Sequence, residues 1–370
     1  MKKLVVLVNQ LLNKHNCDRF DISNKKNLIH KEFWCLLPIT NKKLYEEYNS
    51  KKYRVKKNKN FIIIKNHSSL LKKIFSIKKN NYFINWADGY KFSFLLEILL
   101  NIKGAKKIFR YFTNINSGLK LKENWLKKVI KNLLNILKSK IYIYFAESQA
   151  NMEELKKIKN SNSKIIKINS FDYTEYHNVK KSNKIKNKHI LFLDSNIEKS
   201  YESQLLNYKS HIDSKNYWNS MTKIFELYER KYNNKVIIAS HFRRSLNDQP
   251  IPRKFHFDQT AKLISEAKIV LCHSSQAIHW AVYFKKPIIL IFFKGFQKIL
   301  DRNRTLSDYY KKKLGLKRIN VGSNFNFNYK INKDELKINK KKYIKFEQYY
   351  LSNPNTNFRQ INGWDTVSEI

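Results

Sequence analysis

Apolar residues in the second half of the chain occur in short runs that suit buried strands. Three such runs cover residues 236–239, 269–271 and 288–293, and the segments between them carry apolar residues at helical spacing. Short apolar runs joined by helices are typical of parallel strands that are covered on both faces. This half is therefore predicted to form an α/β domain with a parallel sheet, whose first strand is supplied by residues 190–194.

The first half shows the same alternation of apolar runs and helical patterns. Strands are predicted at residues 4–8, 61–64, 82–86, 107–112, 141–145 and 164–168. Helices are predicted at residues 92–102, 125–137 and 151–158. Alternation of strands and helices favours an α/β domain with a mostly parallel sheet, so we predict two α/β domains in succession.

Changes in composition suggest where the domains begin and end. Residues 170–188 are polar, aromatic and rich in Lys and Asn, which predicts a linker. The predicted parts are an N-terminal α/β domain with this linker at residues 1–180, a second α/β domain at 187–330 and a C-terminal segment at 331–370. That last segment is rich in lysine, but its aromatic residues recur at helical spacing, so we expect a helix that docks back on the protein. The aromatic residues are Tyr343, Phe346 and Tyr350.

Polar residues with useful chemistry follow two of the predicted strands. His241 comes after the strand at residues 236–239, and His273, Ser274 and Ser275 come after the run at 269–271. The carboxyl ends of parallel strands face the crevice in which open α/β sheets bind ligands. The two serines also begin an apolar-periodic helix, and a helix start offers free N–H groups and a positive dipole end to a phosphate. The sequence therefore predicts an anion-binding site here.

Asp88 is the candidate residue of the first half. It follows the predicted strand at residues 82–86 and precedes Gly89, which would let the backbone or a ligand approach closely. This position suits a general base. A helix N-cap or turn aspartate is the alternative interpretation.

Composition adds a strong positive charge to this picture. The chain of 370 residues has 74 Lys+Arg against 29 Asp+Glu and a formal net charge of +45. An anionic membrane surface or anionic substrates would explain the excess, and an AT-rich coding sequence is the alternative explanation. The three cysteines match no metal-site spacing and cannot all pair, which fits a reducing compartment. The run at residues 4–8 is too short for a signal peptide, and no apolar run reaches the roughly 20 residues of a membrane span. We expect a cytoplasmic protein and leave peripheral association with the inner membrane open.

The order of these motifs resembles that of a known family. An Asp-Gly pair after a first-domain strand, a strand that ends in His and a Ser-Ser turn occur in the same order in bacterial sialyltransferases and polysialyltransferases of GT-B fold. Residues 165–295 are similar to glycosyltransferases of bacterial surface-polysaccharide loci, whereas the first half matches only through Asp88-Gly89 and its general architecture. The family has His-Pro where this chain has His241-Phe242, so the rigidity that Pro supplies is missing.

The resemblance implies a fold of two Rossmann-like α/β domains in GT-B architecture. It implies a CMP-activated acidic sugar, sialic or another nonulosonic acid, as the donor and a surface glycan or lipid-linked glycan as the acceptor. In this assignment Asp88 accepts the proton of the acceptor hydroxyl, His241 contacts the leaving phosphate, and Ser274 and Ser275 hold that phosphate. Arg243, Arg244 and Arg253 are further candidates of lower rank, because a guanidinium binds phosphate or carboxylate bidentately, and a solvated loop charge is the alternative for each. His273 is a candidate for donor contact, and the alternative is that it only shapes the loop of the site.

Two motifs of other enzyme classes are missing from the sequence. No Asp-x-Asp occurs that would hold a metal and a diphosphate, and no Gly-x-Gly occurs that would indicate a dinucleotide site. We therefore expect an inverting, metal-independent transfer that needs no cofactor besides the CMP-sugar. The helix terminus and basic side chains would stabilise the leaving phosphate in place of a metal.

Three alternatives remain open at this stage. Kdo is another CMP-activated acidic sugar, and a Kdo transferase would look the same in sequence. A basic protein rich in Tyr and Phe could instead bind nucleic acid, although no nucleic-acid motif is present and we expect no such partner. The predicted helix at residues 125–137 has a broad apolar face bordered by lysines, which fits either packing on a sheet or a membrane interface.

Overall fold

The computed structural model divides into two compact units. In the described part of the chain, unit 1 comprises the residues up to Ser170, and unit 2 spans Phe171–Ser352. The structure describes residues 3–12, 30–49, 58–87, 93–110, 141–159, 162–182, 187–199, 212–241, 244–245, 247–294 and 299–352. Asp88, Arg243 and the predicted helix at residues 125–137 lie outside the described residues.

Unit 1 contains, among its described residues, a parallel sheet of seven strands. The strands are β1 (Lys3–Val8), β2 (His30–Cys35), β3 (Phe61–Ile63), β4 (Tyr82–Trp86), β5 (Lys106–Arg110), β6 (Ile141–Ala146) and β7 (Lys164–Lys167). Their order is β3-β2-β1-β4-β5-β6-β7, so the direction in which strands are added reverses at β1. Strand β1 is apolar throughout after Lys3 and is buried on both faces, which explains its central position.

Six of these strands confirm the predictions from apolar runs, with ends shifted by at most two residues. Strand β2 was not predicted: it begins with the polar residues His-Lys-Glu, and within the strand its apolar run is limited to Phe33–Cys35. Its charge is balanced by a neighbour, since Lys3 of β1 forms an ion pair of 2.6 Å with Glu32. Trp34 also donates its indole N–H to Glu32 over 2.9 Å. Long-range pairing therefore stabilises a strand that local sequence does not indicate.

The described part of unit 1 contains five short helices. They are α1 (Leu37–Thr40), α2 (Lys42–Asn49), α3 (His67–Phe75), α4 (Ser93–Ile102) and α5 (Gln149–Ile158). Helices α4 and α5 confirm two predicted helices. Helices α3 and α4 lie on one face of the sheet, because their buried residues share a single core with alternate residues of the strands. That core includes Leu70, Ile74, Leu96 and Leu100 of the helices and Val5, Leu7, Trp34 and Phe83 of the strands.

Helix α5 begins at a serine whose side chain caps it. The Ser148 hydroxyl accepts a hydrogen bond from the Asn151 N–H over 3.2 Å, and both residues are buried. Ser148→Ala is expected to lower the free energy of unfolding by about 1 kcal/mol, because it leaves a buried amide without its partner. Urea denaturation measures the change. Ser76→Ala, at an exposed serine after α3, is the control, and equal effects of the two substitutions would contradict the prediction.

Unit 2 repeats the arrangement with six parallel strands in its described part. They are β8 (His189–Leu193), β9 (Val236–Ala239), β10 (Phe255–His256), β11 (Ala267–Cys272), β12 (Ile288–Phe293) and β13 (Lys317–Val321). The order is β10-β9-β8-β11-β12-β13, and the direction of strand addition reverses at the fully buried β8. The four strands predicted here are confirmed as β8, β9, β11 and β12, while the short or half-polar β10 and β13 were not predicted.

The described part of unit 2 contains six α-helices. They are α6 (Phe171–Ser182), α7 (Ser214–Tyr232), α8 (Thr260–Glu266), α9 (Ile278–Tyr283), α10 (Ile299–Leu314) and α11 (Lys340–Phe346). Helix α7 is capped by Asp213, which accepts hydrogen bonds from Lys215 and Asn216, and it ends at Asn233 in the left-handed conformation. Its apolar face is buried as the spacing predicts. No helix in the described part of the chain is long and apolar enough to cross a lipid bilayer.

The segment predicted as a linker is instead largely helical, so that prediction was wrong for Phe171–Ser182. This helix, α6, packs within unit 2, where the Trp280 indole donates to the Asp172 carbonyl over 3.0 Å. The predicted aromatic helix near the C-terminus is confirmed as α11. Its Tyr343 is buried and donates its hydroxyl to the Lys286 carbonyl over 3.0 Å. The residues up to Ser352 therefore pack on unit 2.

Candidate functional site

Three neighbouring strands of unit 2 end in residues that can bind or position a ligand. Asp194 follows β8, His241 follows β9 by one residue, and His273 directly follows β11. Because β8 lies between β9 and β11, the three strand ends are neighbours in the sheet. The order of strands reverses at this point, and open α/β sheets bind ligands outside the carboxyl ends of strands where the order reverses.

A buried ion-pair network occupies the base of this edge. Arg244 Nε lies 2.6 Å from Asp194 Oδ2, and Arg244 Nη2 lies 3.1 Å from Asp194 Oδ1 and 2.7 Å from Glu198 Oε1. Arg244 Nη1 lies 2.8 Å from Asp248 Oδ2. The Arg244 and Asp194 side chains are fully shielded from solvent. The guanidinium also stacks above the rings of Trp218 and Phe255, at 5.3 and 5.4 Å from their centroids.

Asp194 connects this network to the backbone of the candidate site. Its carboxylate accepts the backbone N–H of His241 over 3.2 Å and that of Asn196 over 2.8 Å. Burial alone would raise the pKa of Asp194, but the charge of Arg244 and its hydrogen bonds outweigh burial and hold that pKa below its usual value. Asp194 is therefore an anion that fixes the end of β9 and the loop after β8.

Arg244 was predicted to bind the donor, and the structure corrects that assignment. Its guanidinium is shared by three carboxylates and has no solvent-exposed surface. A ligand phosphate would have to displace at least one of those carboxylates and leave it buried without a partner, which is costly. Arg244 is accordingly a residue that positions the loops. Arg253 is also engaged in pairing, since it binds Glu229 through hydrogen bonds of 2.7 and 3.0 Å.

His273 was predicted to contact the donor, and the structure corrects this assignment too. Its Nδ1 lies 2.8 Å from the Ile291 carbonyl and its Nε2 lies 2.8 Å from the Tyr217 hydroxyl. A carbonyl only accepts, so Nδ1 carries the proton and Tyr217 donates to Nε2. Burial lowers the pKa of His273 to about 4, which keeps the ring neutral. Both nitrogens are thus used to join β11, β12 and α7.

Ser274 and Ser275 form a turn before the helix. Helix α9 begins at Ile278, three residues later than predicted, and its first amides bond within the turn: Ile278 N–H donates to the Ser275 carbonyl over 3.2 Å. The Ser275 hydroxyl accepts the Ala277 N–H over 3.2 Å. That contact uses an oxygen lone pair, so the hydroxyl hydrogen can still be donated elsewhere. Both serines are half-buried at the end of β11.

The predicted site residues therefore separate into two groups. His241, Ser274 and Ser275 lie on the carboxyl ends of β9 and β11, on either side of β8, as the strand-end rule predicts. Asp88 and Arg243 lie outside the described residues, and their roles stay predictions. Among the residues that the structure describes, no three His, Cys, Asp or Glu side chains come together as metal ligands would.

Two residues at this edge were not identified from the sequence. Asp194 could have been, because an acid directly after the apolar run at residues 190–193 is the same strand-end signal that marked His241. Lys294 follows β12, the neighbour of β11, and its side chain is exposed. One lysine in a lysine-rich chain gives no signal in the sequence, so only the sheet order identifies Lys294 as a cation that follows the strand next to β11.

Comparisons with known proteins identify the fold. No protein-family model matches the sequence, and no curated protein is significantly similar to it. The wall teichoic acid polymerase TagF matches with a TM-score of 0.50 and 11% identity, over 100% of this chain and 88% of that chain. A TagF variant soaked with CDPG matches over the same shares with a TM-score of 0.53 and 11% identity. The UDP-GlcNAc 2-epimerase of Methanocaldococcus jannaschii, in complex with UDP-GlcNAc and UDP, has a TM-score of 0.47 and 14% identity over 100% of this chain and 99% of that chain.

At 11% identity the likeness to TagF shows the fold. The two parallel sheets of this chain have the strand orders of Rossmann-like domains, each with a reversal at its central strand. The predicted fold class, two Rossmann-like α/β domains in GT-B architecture, is confirmed.

Proposed function

We propose that this protein is a glycosyltransferase that moves an acidic sugar, sialic or another nonulosonic acid, from a CMP-activated donor to a surface glycan. The transfer inverts the anomeric centre and needs neither a metal nor another cofactor. One observation carries the proposal: His241 and the Ser274–Ser275 turn lie at the ends of β9 and β11, on either side of the strand at which the order reverses. That edge is where α/β sheets of this kind bind nucleotides.

The residues at this edge suit the departure of a nucleoside monophosphate. In the transfer the acceptor oxygen bonds to the anomeric carbon while the bond from that carbon to the phosphate oxygen breaks, so negative charge develops on CMP. Hydroxyl donors from Ser274 and Ser275, the imidazole of His241 and the ammonium of Lys294 would stabilise that charge. Hydroxyl and basic side chains can bind either a monophosphate or a diphosphate, so the choice of CMP rests on the resemblance of the sequence motifs.

The assignment of the residue that activates the acceptor rests on the Asp-Gly sequence motif. We propose that Asp88 accepts the proton of the acceptor hydroxyl, as the general base of an oxocarbenium-like displacement. His241 then needs a fixed position on the leaving-group side. The hydrogen bond of its backbone N–H to the buried Asp194 supports this role, because Asp194 is itself held by Arg244.

A Kdo transferase and a nucleic-acid-binding protein are the two alternative functions. A Kdo transferase shares the CMP and the sugar carboxylate, so the proposed site would serve it equally, and only the sugar distinguishes the two. Nucleic-acid binding would need exposed aromatic residues for base stacking. In the described part of the chain, all of the largest fully buried side chains are Trp, Tyr or Phe, so these aromatic rings are not available for base stacking. A lipid-linked acceptor would bring the protein to a membrane surface.

Calorimetric titration with CMP, CDP, UDP and GDP tests the donor assignment. We expect selective binding of CMP, and we expect His241→Ala and Ser275→Ala each to weaken it roughly tenfold or more, since each removes a hydrogen bond to a charged phosphate. The full-length protein is used throughout. Retention of the thermal unfolding temperature shows that the variants are folded.

His67→Ala and Ser68→Ala are matched controls, because both residues are exposed in unit 1, and CMP binding should be unchanged in them. A preference for a diphosphate nucleotide would assign the protein to another class of transferase. Tight CMP binding that survives both site substitutions would place the donor elsewhere, and transfer from CMP-Kdo but not from CMP-sialic acid would select the Kdo alternative.

A further inference from the structure

Two neighbouring helices of unit 1 expose large apolar side chains. Helices α3 and α4 pack on the same face of the sheet, yet their outer surfaces are not polar. Phe75 is 65% exposed and Ile102 is 75% exposed, and Leu71 and Leu95 are 43% and 42% exposed. Leu71 and Phe75 are one turn apart on α3, and Lys103 lies 5.8 Å above the Phe75 ring, so the ends of the two helices adjoin. We call this surface the α3–α4 face.

The two stretches of chain that form the α3–α4 face carry exposed charge of one sign. Among described residues 58–87 and 93–110, the acidic side chains are limited to Glu97, which is buried and paired with Lys107 over 2.6 Å. The same stretches carry many lysines, of which those nearest in sequence to the exposed apolar residues are Lys65, Lys72, Lys73, Lys78, Lys79 and Lys103. No exposed carboxylate in these two stretches offsets them. From the neighbouring strand β2, Glu32 interacts electrostatically with Lys73, but it is already paired with Lys3 over 2.6 Å.

We infer that the α3–α4 face docks on an anionic lipid bilayer. Phe75 and Ile102 would enter the boundary between headgroups and acyl chains, where their apolar surface leaves water. Lysine side chains can extend from the helices so that the ammonium groups meet lipid phosphates while their methylene stems stay among apolar groups. An anionic bilayer surface can interact favourably with both the exposed apolar side chains and the lysines of this face.

Other occupants match only part of the surface. A second copy of the chain would bring lysines against lysines, because the face repeats the same charge on both partners. Nucleic acid would neutralise the lysines but would leave the aliphatic side chains of Leu71 and Ile102 exposed to water, since bases stack on aromatic rings. The inference does not depend on the proposed transferase activity, because docking on lipid requires no nucleotide sugar.

Sedimentation of the full-length protein with lipid vesicles, without nucleotide, tests the inference. One vesicle type is phosphatidylcholine alone and the other is phosphatidylcholine mixed with phosphatidylglycerol. We expect binding to the mixed vesicles, and we expect both F75S/I102S and K72E/K79E to weaken it roughly tenfold or more. The lysine variant should remove most of the salt dependence, whereas the apolar variant should remove the part that resists salt.

Helix α11 of unit 2 supplies a matched control, because it also combines exposed lysines with an apolar residue, Ile344, that is 48% exposed. I344S and K340E/K341E should leave vesicle binding unchanged. Binding by both α3–α4 variants at the level of the unchanged protein, or no binding of the unchanged protein to anionic vesicles, would overturn the inference. Loss of oligonucleotide binding with retained vesicle binding in K72E/K79E would indicate nucleic acid as the partner instead.

Discussion

Replacement of Arg244 by methionine is expected to lower the free energy of unfolding by about 3–5 kcal/mol, the usual cost of removing one partner from a buried ion pair. Methionine approximates the length of the arginine stem but carries no charge. Asp194 and Glu198 would then remain buried without the guanidinium that now contacts both. The loss reflects two stranded carboxylates rather than the net strength of the pairs.

Arg253→Met is the matched control for Arg244→Met. Arg253 also binds a carboxylate bidentately, that of Glu229, and also stacks on an aromatic ring, that of Phe225. Its side chain is 21% exposed, however, against 0% for Arg244. Solvent can replace the lost partner there, so we expect a loss of about 1 kcal/mol. Equal losses in the two variants would show that burial is not the cause.

Urea denaturation followed by tryptophan fluorescence measures both variants. Trp218 lies beneath the Arg244 guanidinium and donates its indole N–H to Glu198 over 2.9 Å, so its emission reports on this network within unit 2. A second substitution, Asp194→Asn in the Arg244→Met background, should recover part of the lost stability because it removes one stranded charge. No recovery would contradict the explanation by stranded carboxylates.

The strand pattern was the most predictable part of the fold. Buried parallel strands need apolar residues on both faces, so runs such as Ile190–Leu193 can be recognised as strands from a single sequence. Strand β2 was not predicted because it contains the charged residue Glu32, whose charge is balanced by Lys3 on another strand. Helix α6 was not predicted because its aromatic residues are covered by a helix that is distant in sequence. Tyr176 stacks on Tyr283 of that helix, with 5.1 Å between the ring centroids. Pairings of this kind are set by tertiary contacts and leave no periodic signal.

The candidate site was predictable in position but not in detail. Strand ends indicated where His241 and Ser275 would lie, because all parallel strands end at the same edge. The partners of Arg244 and His273 were not predictable, since Asp194 is 50 residues from Arg244 and Tyr217 is 56 residues from His273. An arginine or histidine at a strand end can bind either a ligand or a distant side chain. Local sequence does not distinguish these two outcomes.

Stability is expected to fall by on the order of 3 kcal/mol as His273 is titrated by acid. Burial lowers the pKa of His273 from 6.5 to about 4 in the folded protein, and that gap corresponds to this free energy. Because the folded-state pKa is the lower one, the unfolded chain binds the proton more readily. The contribution of His273 is therefore complete above pH 6.5 and is lost as the pH falls towards about 4.

Other groups act in the same direction and must be separated from His273. The pKa of His177 is also lowered to about 4, by burial and then by the charges of Lys180 and Lys181, so some acid sensitivity would remain without His273. Asp194 acts at more acidic pH, because its folded-state pKa lies below 3.8. Glu32 and Glu229, whose pKa values are held below 4.5 by their basic partners, also reduce stability as the pH approaches 4. The share of His273 is therefore taken from the difference between variants, measured by urea denaturation at a series of pH values between neutral and about 4.

His273→Gln removes the titrating ring while it retains an amide that can both donate and accept a hydrogen bond. The variant should be less stable at neutral pH by roughly 1–3 kcal/mol, because the glutamine fits the aromatic surroundings less well. Its loss of stability on acidification should be smaller than that of the unchanged protein by on the order of 3 kcal/mol. His67→Gln, at an exposed histidine, should leave the pH profile unchanged. The two pH profiles should differ, because the buried neutral ring of His273 takes up a proton when the chain unfolds in acid. Parallel profiles for His273→Gln and the unchanged protein would show that the protonation of another group controls the acid response.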